Sequence, residues 1–301
     1  MIWIRVIIVW ACLMLSLVCS AQFTLDNEYA KQHKKYPFIT RYVVTSSGLK
    51  CSYDVEYGVV GDRHLTMDVF EPAERSTGRC VIYIHGGGWA SGSKEMDHPM
   101  AMSLAHSGIV TFCVDYRLSG EAMYPAAIDD VKNAIRWIKE HADEYGIDSD
   151  EICLAGSSAG GQMAALIGMN TDKDKSCHVE RVIDIDGVLC FIHPDSSEGH
   201  DKPGKVSAVT QWLGVSSTEN LELWNSASAF YNVNANSADF LFMNSAQKRF
   251  SAGQGETKEK LVSFGHDVKE YKTTNTPHTF WLFNPWAEDA VRAMIDYILD
   301  K

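Results

Sequence analysis

The chain has 301 residues, of which 46% are hydrophobic, and a formal net charge of −12 at pH 7. This length and composition can bury the core of one large α/β domain or of two small domains, and one domain is the simpler expectation. The acidic charge argues against nucleic acid and anionic membranes as partners.

The first residues have the composition of an export signal. Residues 1–21 form an apolar stretch with one charge, at Arg5, and end with small residues at Cys19 and Ala21, which suits cleavage before Gln22. We therefore predict a signal peptide and a periplasmic or secreted protein with no stable membrane insertion after cleavage. A membrane anchor and a lipoprotein attached through Cys19 are the alternatives. Loss of Arg5 would change the net charge from −12 to −13.

The cysteines that follow residue 21 contain no CxxC pair, so their spacing indicates neither a zinc site nor a dithiol redox motif. Most of them lie in apolar runs, where a thiol acts as a small buried hydrophobic group. An oxidising compartment permits a disulfide, but the spacing does not identify a pair. We expect no metal and no organic cofactor.

Short apolar or β-branched runs alternate with segments of helical periodicity along most of the chain. This alternation is typical of a mostly parallel sheet with helices on both faces, so the predicted fold class is α/β with eight strands. The runs predicted as strands cover 49–57, 65–70, 80–84, 109–115, 152–155, 182–189, 239–243 and 268–273.

Apolar residues recur at spacings of three and four between 128 and 138, and again between 287 and 298. Such spacing places them on one face of a helix, and both helices are expected to pack on the sheet. Residues 22–48 and 193–237 do not fit the alternation. We expect each of these two segments to cover the ends of the strands.

The stretch ICLAGSSAGGQMAAL combines an apolar strand, a serine between glycines and a helix of small residues. Gly156-Ser157-Ser158-Ala159-Gly160 matches G-x-S-x-G, which between a strand and a helix forms a sharp turn that exposes a nucleophilic serine. The glycines are needed because a side chain at either position would collide with neighbouring backbone. Ser158 is the predicted nucleophile, and Ser157, which lacks this glycine spacing, is the alternative.

A glycine-rich loop follows the third predicted strand in VIYIHGGGWASGS. Backbone N–H groups of such a loop can face a substrate carbonyl. Together with the N–H of Ala159, those of Gly87 and Gly88 are predicted to form an oxyanion hole. A flexible turn is the alternative for three consecutive glycines. His85 is expected to hold the loop by a hydrogen bond and not to transfer protons.

A general base for the serine is expected late in the chain. The stretch TNTPHTFWLF places His278 directly after the last predicted strand. The other histidines lie in less suitable places, although His193 and His200, in the 193–237 segment, are candidates for contact with substrate. We therefore predict a proton transfer between Ser158 and His278.

These motifs resemble those of α/β-hydrolase esterases, near the hormone-sensitive-lipase-like group and closer to bacterial carbohydrate esterases of the feruloyl and acetyl type. HGGGW and GSSAGG are specific, whereas DYRL, YPAAIDDVKNAIRWI and PHTFWLF support the placement. The resemblance extends over residues 49–301. It implies an α/β-hydrolase catalytic domain in which Ser158 attacks an ester carbonyl and His278 removes and returns the proton, without metal or cofactor.

The acid of the implied Ser-His-acid triad is missing from its usual place. In the family the acid follows the seventh strand in a stretch like HGxxD. Alignment of that strand with 239–243 puts Asn244 and Ser245 on the usual His-Gly, and Lys248 on the acid.

A branch of the family with RFxAG before a helix is similar to residues 249–253. This similarity makes Glu256, the first acid on the same loop, the predicted partner of His278. Asp195 and Glu198, which follow the sixth predicted strand, are the alternatives. A triad completed by water or a backbone carbonyl is a further possibility.

Aromatic residues crowd near the predicted base and the glycine loop. Trp89 and Trp281, together with His193, are therefore candidates for contact with substrate, and packing in the core is the alternative for each. The predicted export, the acidic charge and the resemblance together imply removal of acetyl groups from plant polysaccharide fragments such as xylan or pectin.

Three other functions share part of this pattern. A feruloyl or general short-chain esterase would have every motif. A serine peptidase of the prolyl-oligopeptidase kind usually carries a large extra domain, for which 301 residues leave no room. A non-catalytic binding protein with the hydrolase fold is suggested by Lys248 at the position of the acid.

Overall fold

The computed structural model describes residues 23–74, 76–170, 174–199 and 201–300. The predicted signal peptide and His200 lie outside these residues. Across the described ranges, no helix has both the length and the apolar character needed to cross a membrane.

Ten strands and nine α-helices make up the regular structure of the described residues. The strands are β1 (Thr40–Arg41), β2 (Leu49–Val60), β3 (Arg63–Pro72), β4 (Cys80–Ile84), β5 (Val110–Val114), β6 (Ile152–Ser157), β7 (Arg181–Ile185), β8 (Asp239–Asn244), β9 (Val268–Lys272) and β10 (Phe283–Asn284). The helices are α1 (Leu25–His33), α2 (His98–His106), α3 (Ala126–Glu140), α4 (Ala142–Tyr145), α5 (Ala159–Met169), α6 (Ala208–Leu213), α7 (Leu221–Ala227), α8 (Gln254–Ser263) and α9 (Trp286–Leu299).

The central sheet has eight strands in the order β2-β3-β5-β4-β6-β7-β8-β9. The pairs β2–β3 and β3–β5 are antiparallel, whereas every pair from β5 to β9 is parallel. The mostly parallel, eight-stranded sheet predicted from the sequence is therefore confirmed. Because the parallel strands run in one direction, their carboxyl ends meet along one edge, where ligands of open α/β sheets usually bind.

Two hydrophobic cores lie on opposite faces of this sheet. All five residues of β4 are buried, and they alternate between the cores: Ile82 and Ile84 belong to one, Val81 and Tyr83 to the other. This alternation follows from the two-residue period of a strand that is covered on both sides. Helices α3 and α5 contribute to the first core, and α2 and α9 to the second.

The apolar spacing predicted two helices, and both are present as α3 and α9. The residues of α3 that recur at spacings of three and four, Ile128, Val131, Ile135 and Ile138, are all buried. A single apolar stripe of this kind is what anchors a surface helix to a core. The helix at the C-terminus repeats the arrangement against the opposite face of the sheet.

Both segments that did not fit the alternation pack against the domain. The 193–237 segment contains α6 and α7, whose Trp212 and Trp224 are fully buried in the core that includes α5. The 22–48 segment contains α1, and its strand β1 pairs with β10 through Thr40–Asn284 and Arg41–Phe283. The amino-terminal segment is therefore hydrogen-bonded to the chain that follows the loop of His278.

The six described cysteines are free thiols, and all but Cys51 are buried. Burial raises the pKa of the Cys80 thiol and takes that of Cys153 to about 12, so both are neutral at physiological pH. These two side chains behave as the small hydrophobic groups that their positions in strands predict.

Candidate active site

Ser158 lies on the sharp turn between β6 and α5. Its backbone has φ 54° and ψ −115°, a strained conformation that is typical of functional sites, and its N–H donates to the oxygen of Ile185 at 2.8 Å. A Cβ at Gly160 would collide with the carbonyl of Ile84, so only glycine allows this approach. Ser157, the alternative nucleophile, is buried at the end of β6.

His278 lies within hydrogen-bond distance of the serine. Its Nε2 is 2.8 Å from Ser158 Oγ. The imidazole stacks on the ring of Phe250, with centroids 3.5 Å apart, and meets the edge of Trp281 at 5.3 Å. These two contacts limit the rotation of the ring and keep Nε2 directed at the serine.

The carboxylate that contacts His278 belongs to Asp186. Its Oδ2 is 2.8 Å from His278 Nδ1, and its Oδ1 accepts from the N–H of Ser245 at 2.8 Å. The residue is only 1% exposed. Asp186 directly follows β7 with φ 55°, and its N–H donates to the oxygen of Met243 at 2.9 Å. The bonds to Ser245 and Met243 anchor Asp186 to the end of the neighbouring strand.

The structure contradicts the prediction that Glu256 is the partner of His278. Glu256 lies in the exposed first turn of α8, where its Oε1 is 3.4 Å from Nε2 of His193. The alternatives do not contact the imidazole either. Asp195 is exposed beside His193, and Glu198 forms an ion pair with Arg249 at 3.2 Å.

The sequence did not indicate Asp186 as a site residue, because the predicted strand 182–189 includes it. The strand ends at Ile185, since the chain turns sharply at Asp186 and Gly187. Asp184 stabilises this turn by accepting the N–H of Gly187 at 2.8 Å. Asp-x-Asp-Gly at the end of an apolar run is a turn signal that could have shortened the predicted strand.

Burial is the main influence on the pKa of His278, and it lowers the pKa from the usual 6.5, while the bond to Asp186 acts in the opposite direction. The imidazole is therefore neutral at pH 7. In this state Nδ1–H donates to Asp186, and Nε2 is free to accept the hydroxyl proton of Ser158. His278 thus has the protonation state that a nucleophilic serine requires of its base.

The glycine loop faces Ser158 from the end of β4. Gly87 has φ 125°, and a Cβ there would collide with the carbonyl of Ser91, while Gly88 has φ 60°. Within the described ranges, the N–H groups of both glycines have no acceptor in the protein. Ala159 is the first residue of α5, so its N–H is free of intrahelical bonds. The structure brings these predicted oxyanion-hole residues to one cavity.

His85 is buried beneath this loop. Its Nδ1–H donates to the oxygen of Gly86 at 2.8 Å, and its ring stacks on Tyr116 with centroids 4.3 Å apart. Burial lowers the pKa of His85 to about 4, so the ring is neutral. These contacts agree with the predicted role of His85 in holding the loop.

The triad and the loop open into a cavity of about 650 Å³. Of the predicted substrate contacts, Trp89 and Trp281 line this cavity, whereas His193 does not. Trp89 has φ 59° and stacks on Trp212 of the 193–237 segment, with centroids 4.7 Å apart. Both covering segments reach the cavity, through Glu28 of α1 and Glu198.

The side chains that the structure describes do not form a metal site. Over residues 23–300, apart from the undescribed positions, no group of three or more His, Cys, Asp or Glu side chains is arranged to hold an ion.

Comparison with known proteins identifies the family. The sequence profile of the BD-FAE family matches residues 67–250, which is more than half of the chain. The chain belongs to the BD-FAE family. The BD-FAE match contains the glycine loop, Ser158 and Asp186, whereas α1 and His278 lie outside it.

Curated relatives match shorter stretches. An arylesterase from Saccharolobus solfataricus is 39% identical over 109 residues, which cover 36% of this chain and 36% of the relative. The carboxylesterase NlhH from Mycobacterium tuberculosis is 42% identical over 97 residues, or 32% of this chain and 30% of the relative. The chain thus matches about a third of the length of these relatives.

Solved structures align with most of this chain. A truncated form of a carbohydrate esterase from gut microbiota aligns with a TM-score of 0.70 and 20% identity, over 85% of this chain and 97% of that one. An arylesterase structure aligns with a TM-score of 0.71 and 20% identity, over 93% of both chains. These alignments confirm the predicted α/β-hydrolase fold.

Proposed function

We propose that this BD-FAE family member is a serine esterase that hydrolyses carboxylic esters. The observation that carries the proposal is the continuous hydrogen-bonded line from Asp186 through His278 to Ser158, at the wall of an open cavity. The matches to an arylesterase and a carboxylesterase support it.

The proposed reaction has two acyl-transfer steps. Ser158 Oγ attacks the ester carbonyl while its proton passes to His278 Nε2, and the negative oxygen is held by N–H groups of the glycine loop and of Ala159. The C–O bond to the alcohol then breaks, and the imidazolium returns the proton to the leaving oxygen. A water molecule activated by His278 repeats the sequence and releases the acid. Asp186 fixes the tautomer and stabilises the imidazolium in both steps.

The finer proposal is that the ester is an acetyl group on a polysaccharide fragment such as xylan or pectin. A carbohydrate esterase among the similar structures supports this proposal. The cavity lining also combines small exposed parts of the largely buried Trp89 and Trp281 with polar groups such as Gln247, a mixture that suits an acylated sugar. Export, which rests on the composition of residues 1–21, would bring the enzyme to such a substrate.

The contact between Asp186 and His278 removes the main argument for a non-catalytic binding protein. That alternative was suggested by Lys248 at the usual position of the acid, and Asp186 supplies the acceptor from another strand.

A fluorophosphonate probe, which reacts with activated serines, tests the proposed function. We expect wild-type protein to be labelled and to hydrolyse nitrophenyl acetate, and Ser158→Ala to lose both properties. Ser157→Ala is the matched control, because it removes a neighbouring buried hydroxyl. Labelling that persists in Ser158→Ala would contradict the assigned nucleophile.

The finer proposal has its own measurement. Rates on acetylated xylan, feruloylated arabinoxylan and nitrophenyl esters, compared as kcat/KM, should be highest for acetylated xylan. A preference for the feruloylated substrate would support the feruloyl esterase alternative instead.

A further inference from the structure

Helix α1 forms one wall of the cavity that contains Ser158, although it lies before the BD-FAE match begins. The helix begins with a side-chain cap, because Thr24 accepts a hydrogen bond from the N–H of Asn27. The amino-terminal segment contributes five lining residues to the cavity, namely Phe23, Glu28, Lys31, Gln32 and Lys35.

Glu28 is the residue of α1 that reaches the loop of the histidine. Its side chain is buried, with 5% of the residue exposed. Its Oε1 accepts from Thr279 Oγ1 at 2.9 Å and from Gln32 Nε2 at 2.7 Å, and Lys31 Nζ lies 3.1 Å from its Oε2. Thr279 is itself buried and directly follows His278.

The carboxyl group of Glu28 is ionised at neutral pH. Burial raises its pKa, but the hydrogen bonds from Gln32, Lys31 and Thr279 outweigh burial and hold the pKa below its usual value. A buried carboxylate is costly to leave without its hydrogen bonds, and two of the three donors of Glu28, Gln32 and Thr279, are buried with it. The bond to Thr279 is therefore a firm connection between α1 and the loop of His278.

We propose that Glu28 is a positioning residue for His278, which holds the adjacent Thr279 and so fixes the imidazole against Ser158. This inference rests on the proposed esterase function. It assigns to the amino-terminal helix a part in the reaction beyond covering the cavity.

Position matters here because proton transfer needs the hydrogen-bond geometry between Ser158 and His278 that the structure shows, and small displacements of a reacting group are expensive in rate. On one side the imidazole is held by Asp186 and by the ring of Phe250. The loop that carries it is held on the other side by the bond from Thr279 to Glu28.

The charge of Glu28 acts in the same direction as its hydrogen bond. The charged groups that face His278 are Asp186 and Glu28, which favour the imidazolium, and Arg249, which opposes it. Lys31 partly balances Glu28, and Glu198 is paired with Arg249. Loss of the Glu28 charge should therefore make the imidazolium less stable.

Four variants separate these effects. Glu28→Ala and Thr279→Val each break the bond between α1 and the loop, and each should lower kcat about 10- to 100-fold with little change in KM. Thr279→Ser keeps the hydroxyl and should keep most of kcat. Glu28→Gln keeps an acceptor but loses the charge, so the rise of kcat/KM with pH should move to lower pH.

The double variant of Glu28→Ala with Thr279→Val should be no slower than the worse single variant, because both changes remove the same hydrogen bond. Asp26→Asn is the matched control: it removes a negative charge from the same helix, where Asp26 is exposed and pairs with Arg41 at 2.6 Å. It should leave kcat and the pH profile unchanged. Thermal unfolding identifies any variant that has lost its fold.

Several results would overturn the inference. If Glu28→Ala and Thr279→Val keep wild-type kcat, or change KM alone, Glu28 does not position the histidine. Additive losses in the double variant would show two independent packing defects. A wild-type protein that neither reacts with the fluorophosphonate probe nor hydrolyses esters would overturn the proposed function, and this inference with it.

Discussion

Trp89, Ser158 and Asp186 all lie on left-handed backbone, with φ between 54° and 59°. For non-glycine residues this conformation costs about 1–3 kcal/mol each and persists only where neighbours hold it. The N–H of Ser158 is held by Ile185, and that of Asp186 by Met243. The backbone is therefore strained at the proposed catalytic residues, and hydrogen bonds to the ends of neighbouring strands hold it there.

The first prediction concerns the acid. Asp186→Asn should lower kcat about 10³- to 10⁴-fold with little change in KM, because an amide can neither hold the correct tautomer of His278 nor stabilise the imidazolium. Steady-state kinetics on nitrophenyl acetate measure this loss. Glu256→Gln is the control and should keep wild-type kcat. The assignment of the acid would be wrong if Glu256→Gln were the slow variant.

At this scale, motifs with a strict backbone requirement could be read from the sequence. The glycines around Ser158 and the loop at Gly87 follow from collisions that any side chain would cause. The acid has no such requirement, because a carboxylate can reach Nδ1 of His278 from more than one strand end. The local turn places Asp186 after the strand, and contacts between distant residues, such as Asp186 with Ser245, direct its carboxylate to the imidazole.

The glycine loop after β4 illustrates how an element constrains its residues. Gly87 and Gly88 both have positive φ, but a Cβ at Gly87 would collide with the carbonyl of Ser91, whereas one at Gly88 would make only ordinary contact with Ala208 at 3.7 Å. The two positions therefore differ in the room available for a side chain, while the positive φ at both disfavours any residue other than glycine.

This difference gives the second prediction. Gly87→Ala should displace the loop and lower kcat about 10²- to 10³-fold, the loss expected when one oxyanion donor is misplaced. Gly88→Ala should lose less activity, since it adds only the left-handed strain of about 1–2 kcal/mol. Kinetics and urea unfolding of both variants test this order. Equal losses would mean that strain alone sets the effect.

Helices and strands whose apolar residues follow a regular spacing could be predicted from the sequence. The apolar stripe of α3 and the buried run of β4 follow directly from spacing. The end of β7 was not predicted, because Val188 and Leu189 continue the apolar run although the chain has already turned. The short helices α6 and α7 have too few residues for a period to be recognised.

At the scale of the whole molecule, the 193–237 segment is part of the main core and not a separate lid. Trp212 is fully buried, stacks on Trp89 and meets Phe191 and Tyr124 edge-on. The sequence predicted a cover from the absence of alternation. It could not show how deeply the cover is buried, because the partners of Trp212 are distant along the chain.

The third prediction follows from this packing. Trp212→Ala should lower the free energy of unfolding by about 3–5 kcal/mol, because the cavity it leaves is enclosed. Urea denaturation should still show one cooperative transition. Tyr231→Ala, at a half-exposed position in the same segment, should change stability by less than about 1 kcal/mol. Two separate transitions in the wild type would show that the segment unfolds on its own.

Asp186 follows β7, which is the direct neighbour of the serine strand β6, so the proposed nucleophile and the proposed acid come from adjacent strands. The side chains after β8 are thereby released from proton transfer, and two of them, Gln247 and Arg249, still face the cavity. Arg249 also acts on the charge of His278, so Gln247 is the position where an exchange should alter the choice of substrate with least effect on proton transfer. That position is a natural starting point for engineering new selectivity.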